Sequence, residues 1–177
     1  MIPVVVMGVS GCGKSTVGAL LADRLAVPFL DADSLHPAAN LRKMARGAPL
    51  DDDDRWPWLH QVGRALAAHP GGAVVACSAL RRAYRDVLRD AVPGVRFVHL
   101  AGTREQLAAR MRAREGHFMP VSLLDTQLAT LEQLDDDETG TVLDCTLDPA
   151  TLAGAAQAWL ARPAGLVGVL RTGVDTR

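Results

Sequence analysis

A chain of 177 residues fits a single domain and can bury a core without disulfides or structural metals. Nineteen basic against twenty acidic residues leave a net charge of −1, which removes the electrostatic footprint of a general nucleic-acid binder and leaves a small anionic ligand open. Cys12, Cys77 and Cys145 are odd in number and widely spaced, so no disulfide is expected and a reducing compartment suits them.

The opening run Ile2-Pro3-Val4-Val5-Val6-Met7 has the β-branched, apolar character of a buried strand. It is too short to span a membrane and lacks a basic flank, so neither a signal peptide nor a span is expected and the sequence reads as cytosolic. The run leads into Gly8-Val9-Ser10-Gly11-Cys12-Gly13-Lys14-Ser15, followed by Thr16, which meets the pattern G-x-x-x-x-G-K-[ST] at every fixed position. Val17, Leu20, Leu21 and Leu25 then recur at helical spacing, giving strand, glycine loop and helix in the order that a phosphate cradle needs. Glycines allow positive φ and bring successive N–H groups onto phosphate oxygens, while the helix N-terminus adds roughly half a positive charge. Lys14 is placed to reach the β and γ phosphates of ATP, Ser15 to hold Mg²⁺ through its hydroxyl, and Thr16 to donate to a phosphate nearer the ribose.

A second strand, Val27-Pro28-Phe29-Leu30, ends at Asp31-Ala32-Asp33. Residues two apart on a strand share a side, so Asp31 and Asp33 are expected to face the phosphate loop together, one for Mg²⁺ and one to accept the proton of an attacking hydroxyl. The next buried strand, Ala73-Val74-Val75-Ala76, ends in Cys77-Ser78 with no carboxylate, and no Asn-Lys-x-Asp quartet is present. The metal duty therefore falls to the Asp31/Asp33 pair, the arrangement of small-molecule kinases of the shikimate-kinase type.

Residues 34–72 are too long for a plain crossover and rich in groups that recognise polar ligands. His36-Pro37 starts a helix in which Leu41 and Met44 are expected to pack, leaving Asn40 and Lys43 for the ligand; Gly47 stops it, and Asp51 to Asp54 open a second helix. Arg55, set between these carboxylates and Trp56 and Trp58, is suited to gripping a carboxylate with its two-pronged guanidinium. Ser78 at the end of the third strand is a candidate polyol ligand, with Arg81 or Arg82 assisting a carboxylate; spacing alone does not choose between the two arginines.

A fourth strand, Val95 to Leu100, precedes Thr103-Arg104-Glu105-Gln106, a capping box. The helix that follows carries Arg110 and Arg114, and Glu115 to Pro120 break it before Leu123, Leu124, Leu128 and Leu131 return, a pattern that suits a lid over ATP. Asp135 to Glu138 read as solvated surface, Thr141 to Thr146 as a fifth strand, and Asp148-Pro149 as the start of a last helix. The turn before that helix is expected against adenine. Residues 164–177 show no sustained period and receive no assignment.

Asp31-x-Asp33-x-Leu35-His36-Pro37-x-x-Asn40, then Lys43-Met44, Gly47, Pro49-Leu50 and Asp52-Asp53-Asp54-Arg55-x-Pro57-Trp58-Leu59, closely resemble the gluconokinase family. Cys77-Ser78-Ala79-Leu80, Tyr84-Arg85-Asp86 and Gly116-His117-Phe118-Met119-Pro120 are phrases of the same family in the same order, and Ala32 departs from a usual glycine. The resemblance implies a three-layer α/β P-loop NTPase fold with a five-stranded parallel sheet. One kinase domain over 1–163 would carry a helical substrate-binding insertion at about 34–72 and a lid at about 112–122. It implies ATP-dependent phosphorylation of D-gluconate at the 6-hydroxyl in the cytoplasm, by a homodimer with no nucleic-acid or membrane partner. In that reading Lys14, Asp33 and Arg114 act in catalysis and Ser15 and Asp31 hold the metal. Gly8, Ser10, Gly11, Cys12, Gly13, Thr16 and Arg110 bind ATP, and His36, Lys43, Arg55, Ser78, Arg82 and His117 join Asp33 at the substrate. A kinase for another small hydroxy acid such as shikimate would use the same loop with a different insertion. A nucleotide-switch module is the reading from another class, and the missing carboxylate after Val75 stands against it.

Overall fold

The computed structural model describes residues 2–113, 121–162 and 168–172. In chain order the elements are β1 (Val4–Met7), α1 (Lys14–Leu25), β2 (Phe29–Asp31), a 3-10 turn over Ala32–Leu35, α2 (Ala38–Ala45), α3 (Asp52–Ala67), β3 (Val74–Ala76) and α4 (Arg82–Ala91). There follow β4 (Arg96–Ala101), α5 (Arg104–Arg112), α6 (Val121–Thr130), β5 (Thr139–Asp144), α7 (Pro149–Leu160) and β6 (Gly168–Thr172).

β1 shows why the molecule has three layers. All four of its side chains are buried, Val4 and Val6 in one core and Val5 and Met7 in the other, because successive strand residues point to opposite faces. Each such burial contributes about 1.5–3 kcal/mol. α1 and α7 cover the first face through Val17, Leu21, Leu152 and Ala156; α3 and α4 cover the second through Leu59, Val62, Tyr84 and Leu88. The sheet order is β2-β3-β1-β4-β5-β6 with every pairing parallel. The five expected strands are therefore present, and a sixth, drawn from the tail that showed no period, pairs along the far side of β5.

The expected helix starts hold in detail. Asp51 and Asp54 form a reciprocal capping box for α3, Thr103 and Gln106 do the same for α5, and Asp148 caps α7 with Pro149 in the first turn. α2 is rotated away from expectation. Asn40 is buried while Leu41 and Met44 are exposed, because the Asn40 amide donates to the Asp54 carbonyl at 2.8 Å and lies 3.4 Å from His36 Nδ1. Those two contacts fix the helix face, and apolarity does not. Among the described residues no helix is long and apolar enough to cross a membrane.

The register aligns Asp31 with Ala76 and Val6 with Ala76, so the carboxyl ends of β2, β3 and β1 lie side by side. The segments leaving these three ends are the glycine loop, the Asp31 turn and Cys77-Ser78. That rim is where parallel sheets bind ligands.

Candidate active site

The glycine loop is held by close approach. Gly8 has φ 138°, and a Cβ there would stand 2.7 Å from the Leu100 carbonyl oxygen; Gly13 has φ 99° at the N-cap of α1. Lys14 Nζ donates to the Val9 carbonyl at 3.0 Å, curling its ammonium over the loop. Ser15 Oγ donates to Asp31 Oδ2 at 2.9 Å, which brings a hydroxyl from the first turn of α1 and a carboxylate oxygen from the end of β2 together. Two hard oxygens at this spacing fit Mg²⁺, which keeps several waters and takes the rest of its shell from phosphates. Among the described residues no group of three or more His, Cys, Asp or Glu side chains could hold a metal ion.

Arg110 donates to the Cys145 carbonyl at the end of β5, and its guanidinium lies 3.6 Å from where a Cβ on Gly13 would stand. It thus bridges the glycine loop and the turn expected against adenine. Cys12 is fully buried, and Thr16 is exposed at the start of α1.

The acceptor side departs from expectation at Asp33. The strand stops at Asp31, whose carboxylate accepts from Asp33 N at 3.0 Å and so caps the 3-10 turn; strand alternation therefore does not relate the two carboxylates. The Asp33 side chain is 84 % exposed, open to a ligand, and its carboxylate reaches 4.0 Å from His36 Nε2. Ala32 has no positive φ, its methyl is buried, and its carbonyl accepts from Trp58 Nε1 at 2.7 Å, so the departure from glycine is accommodated. Burial pushes the Cys77 thiol up to about 12. His36 stacks on Trp58 with centroids 4.2 Å apart and planes 13° from parallel. Burial lowers its pKa, against the raising effect of Asp33 and with further lowering by Arg55.

Lys43 does not stand free for a ligand. Its ammonium donates to Asp51 at 2.9 Å and also to Asp54, both members of the α3 capping box, and these bonds hold the Asp51 carboxyl down at about 2. Arg55 lies beside Tyr84 and Asp52. Its Nη1 donates to Tyr84 Oη at 3.2 Å and lies 3.7 Å from Asp52, while the Tyr84 hydroxyl donates to Asp52 Oδ1 at 2.5 Å. Arg81 completes the group, donating to Asp52 Oδ2 at 2.6 Å with its guanidinium 5.9 Å from the Tyr84 ring centre. Two guanidiniums share one carboxylate, so the cluster keeps a surplus positive charge, and both are partly exposed. Asp52 and Tyr84, which stand in the family phrases but received no role from sequence, are the partners that hold Arg55.

Arg82 goes elsewhere. It donates to Asp86 at 2.9 Å, to Asp135 at 2.9 Å and to Asp137 through both terminal nitrogens at 2.7 Å, and its backbone N–H goes to Glu132. Its charge is matched by these carboxylates, where a place at the substrate was expected. The acidic turn is likewise not simple solvated surface: Glu138 is fully buried and accepts from Arg85 at 2.7 and 2.8 Å. Arg85, also fully buried, donates its remaining N–H groups to the carbonyls of Ala79, Leu80, Glu132 and Gln133. Ala79, at φ 43°, is thereby pinned in the turn after Ser78, and Ser78 itself is half-buried with its carbonyl accepting from Gly8 N at 3.3 Å. Arg114, His117 and most of the expected lid lie outside the described residues.

A parallel sheet with helices on both faces, a lysine-bearing glycine loop after β1, and a hydroxyl–carboxylate pair between α1 and the end of β2 define a P-loop phosphotransferase. The fold is shared with the shikimate kinase from Acinetobacter baumannii at TM-score 0.58 and 17 % identity, covering 90 % of this chain and 93 % of that one. Residues 4–134 match the AAA domain family. The gluconokinase of Gluconobacter oxydans is 53 % identical over 137 residues, 76 % of this chain and 77 % of that protein. A crystal structure of a gluconokinase from Sinorhizobium meliloti superposes with TM-score 0.86 at 50 % identity, covering 91 % and 92 % of the two chains. The chain belongs to the gluconokinase family of AAA-domain P-loop proteins.

Proposed function

We infer that this chain transfers the γ-phosphoryl group of ATP to the 6-hydroxyl of D-gluconate, releasing ADP and 6-phospho-D-gluconate. Family membership supplies the substrate, and one observation carries the geometry. Ser15 of the phosphate loop donates to Asp31, and Asp33, in the turn that Asp31 caps, is exposed beside His36.

The loop N–H groups and Lys14 cradle the phosphates and offset the charge that develops on the transferring group. Ser15 and Asp31 would hold Mg²⁺, which when bound neutralises phosphate charge. Asp33, exposed toward the ligand, orients the acceptor hydroxyl and takes its proton. The sugar carboxylate lies at the other end of the acceptor, where Arg55 and Arg81 offer paired guanidiniums that match its two oxygens. Arg81 replaces both Lys43 and Arg82 in that role, since their charges are already matched. His36, stacked on Trp58 and 4.0 Å from Asp33, forms a wall beside the base. Arg110 lies where adenine would be, and Arg114 and His117 complete the reading from the lid. The chemistry suits a cytoplasmic enzyme, since its three cysteines are buried and free.

The test is ADP release from Mg·ATP with and without D-gluconate, with Lys14→Ala as the blank. Gluconate-dependent turnover is expected, and Asp33→Asn should lower kcat by ~10²–10⁴ with nucleotide binding nearly intact. An unchanged kcat in Asp33→Asn would remove Asp33 as the base, and turnover indifferent to gluconate would remove the substrate.

A further inference from the structure

α6 carries an anomaly on its inward face. Leu124 is fully buried, Leu128 and Leu131 pack against the core, and Gln127 falls on the same stripe at helical spacing, where an apolar residue is the ordinary choice. Its carboxamide is instead directed into the glycine loop: Gln127 Oε1 accepts from Ser10 N at 2.7 Å, across 117 positions of sequence. The helix is also tied to α5, through Arg104 and Asp125 at 2.6 and 3.0 Å, so the reach toward the loop comes from an anchored element.

Ser10 N is one of the donors that the loop offers to a phosphate oxygen. We propose that Gln127 is a positioning residue of the phosphate loop, occupying the Ser10 N–H in the nucleotide-free protein and yielding that donor to a nucleoside polyphosphate. The proposal rests on reading the loop as a polyphosphate cradle.

The chemistry of the side chain fits a replaceable occupant. The Ser10 N–H is only partly buried, and an acceptor held against it adds a net hydrogen bond, so the empty loop gains modestly from a stand-in. A neutral amide oxygen satisfies the N–H without placing charge where the phosphates must go. A phosphate oxygen, being anionic, makes the stronger bond and displaces it. A carboxylate at the same position would match the phosphate as an acceptor and repel it as a charge. Filling the loop therefore detaches α6 from Ser10, and by linkage the contact that holds α6 down opposes nucleotide binding.

The experiment measures ADP and adenylyl imidodiphosphate dissociation constants for wild type, Gln127→Met and Gln127→Glu, with circular dichroism to certify the fold. Methionine keeps the bulk and removes the strong acceptor, so it should bind nucleotide roughly two- to fivefold more tightly, the size of one net hydrogen bond. Glutamate should bind about tenfold more weakly or worse, and recover as pH falls and its carboxyl protonates. Opposite shifts in the two variants are not what a packing role gives, since loss of packing moves both the same way. Unchanged affinity in either variant, or weaker binding by Gln127→Met, overturns the proposal. Gln127→Asn, one methylene short of Ser10, replaces methionine with the same expected sign if that variant does not fold. Failure of wild type to bind ADP at all would instead overturn the cradle reading beneath it.

Discussion

Two arginine clusters adjoin at the start of α4, where Arg81 belongs to one and Arg82 to the other, and they behave as opposites. In the first, Arg55 and Arg81 share the carboxylate of Asp52 beside Tyr84, half-exposed and with positive charge to spare. In the second, Arg82, Arg85 and Arg89 meet Asp86, Asp135, Asp137 and Glu138, with each guanidinium opposite at least one carboxylate and the central Arg85–Glu138 pair fully buried. A cluster with surplus positive charge can take an anionic ligand; one in which three guanidiniums face four carboxylates has no positive charge left to offer. The first cluster is therefore read as substrate clamp and the second as the brace that fixes the turn after Ser78.

The strongest way to break that division is Glu138→Leu. It leaves the Arg85 guanidinium buried without a counter-charge and should lower stability by about 3–5 kcal/mol in urea unfolding. A variant that unfolds like wild type would show that the brace bears nothing. Next in size, Arg55→Ala should raise the KM for gluconate by roughly 10–100-fold with stability changed by under about 1 kcal/mol. Arg82→Ala should leave that KM alone. If Arg82→Ala raises KM as far as Arg55→Ala does, the two clusters are not separate in function.

The smallest effect sharpens the comparison through pH. Burial, and then Arg55, hold the His36 pKa below its ordinary 6.5 against the pull of Asp33, so the unfolded chain takes up a proton before the folded one does. The associated stability is complete above pH 6.5 and declines as pH falls below it. In the brace, hydrogen bonds from Arg82 hold Asp137 at about 2, so its contribution is present above the ordinary 3.8 and is lost only as pH falls through about 2. Thermal midpoints measured from pH 7 downward should therefore sag first on the substrate side. His36→Asn should flatten that first decline and leave the acid limb unchanged. A decline that survives in His36→Asn would have to be assigned to another group.

What could be read from sequence was what neighbours in the chain determine. The glycine loop, the three capped helices and the strand ends at Asp31 and Ser78 depend on residues within a turn of one another, and the structure has them where they were expected. The misplaced features depend on distant partners. Arg81 and Arg82 are adjacent, yet one is fixed by Asp52 and the other by Asp137, and nothing local distinguishes them. Asn40 turned inward because of a carbonyl fourteen positions away. Glu138 looked like one more solvated acid because its partner, Arg85, lies on another helix. Gln127 gave no sign, since a single amide on an apolar stripe is ordinary until its acceptor is seen against Ser10.

The sixth strand has a further consequence. The sheet has two open borders, and they are unequal. On one side β2 is three residues long and runs straight into a 3-10 turn, so little ladder is offered to a passing chain. On the other side β5 is six residues long, and without β6 its outward N–H and C=O groups would form a template for pairing. A segment without helical or strand period thus serves as a hem. It pairs the outward backbone groups of β5 and passes the border on to a strand of five residues.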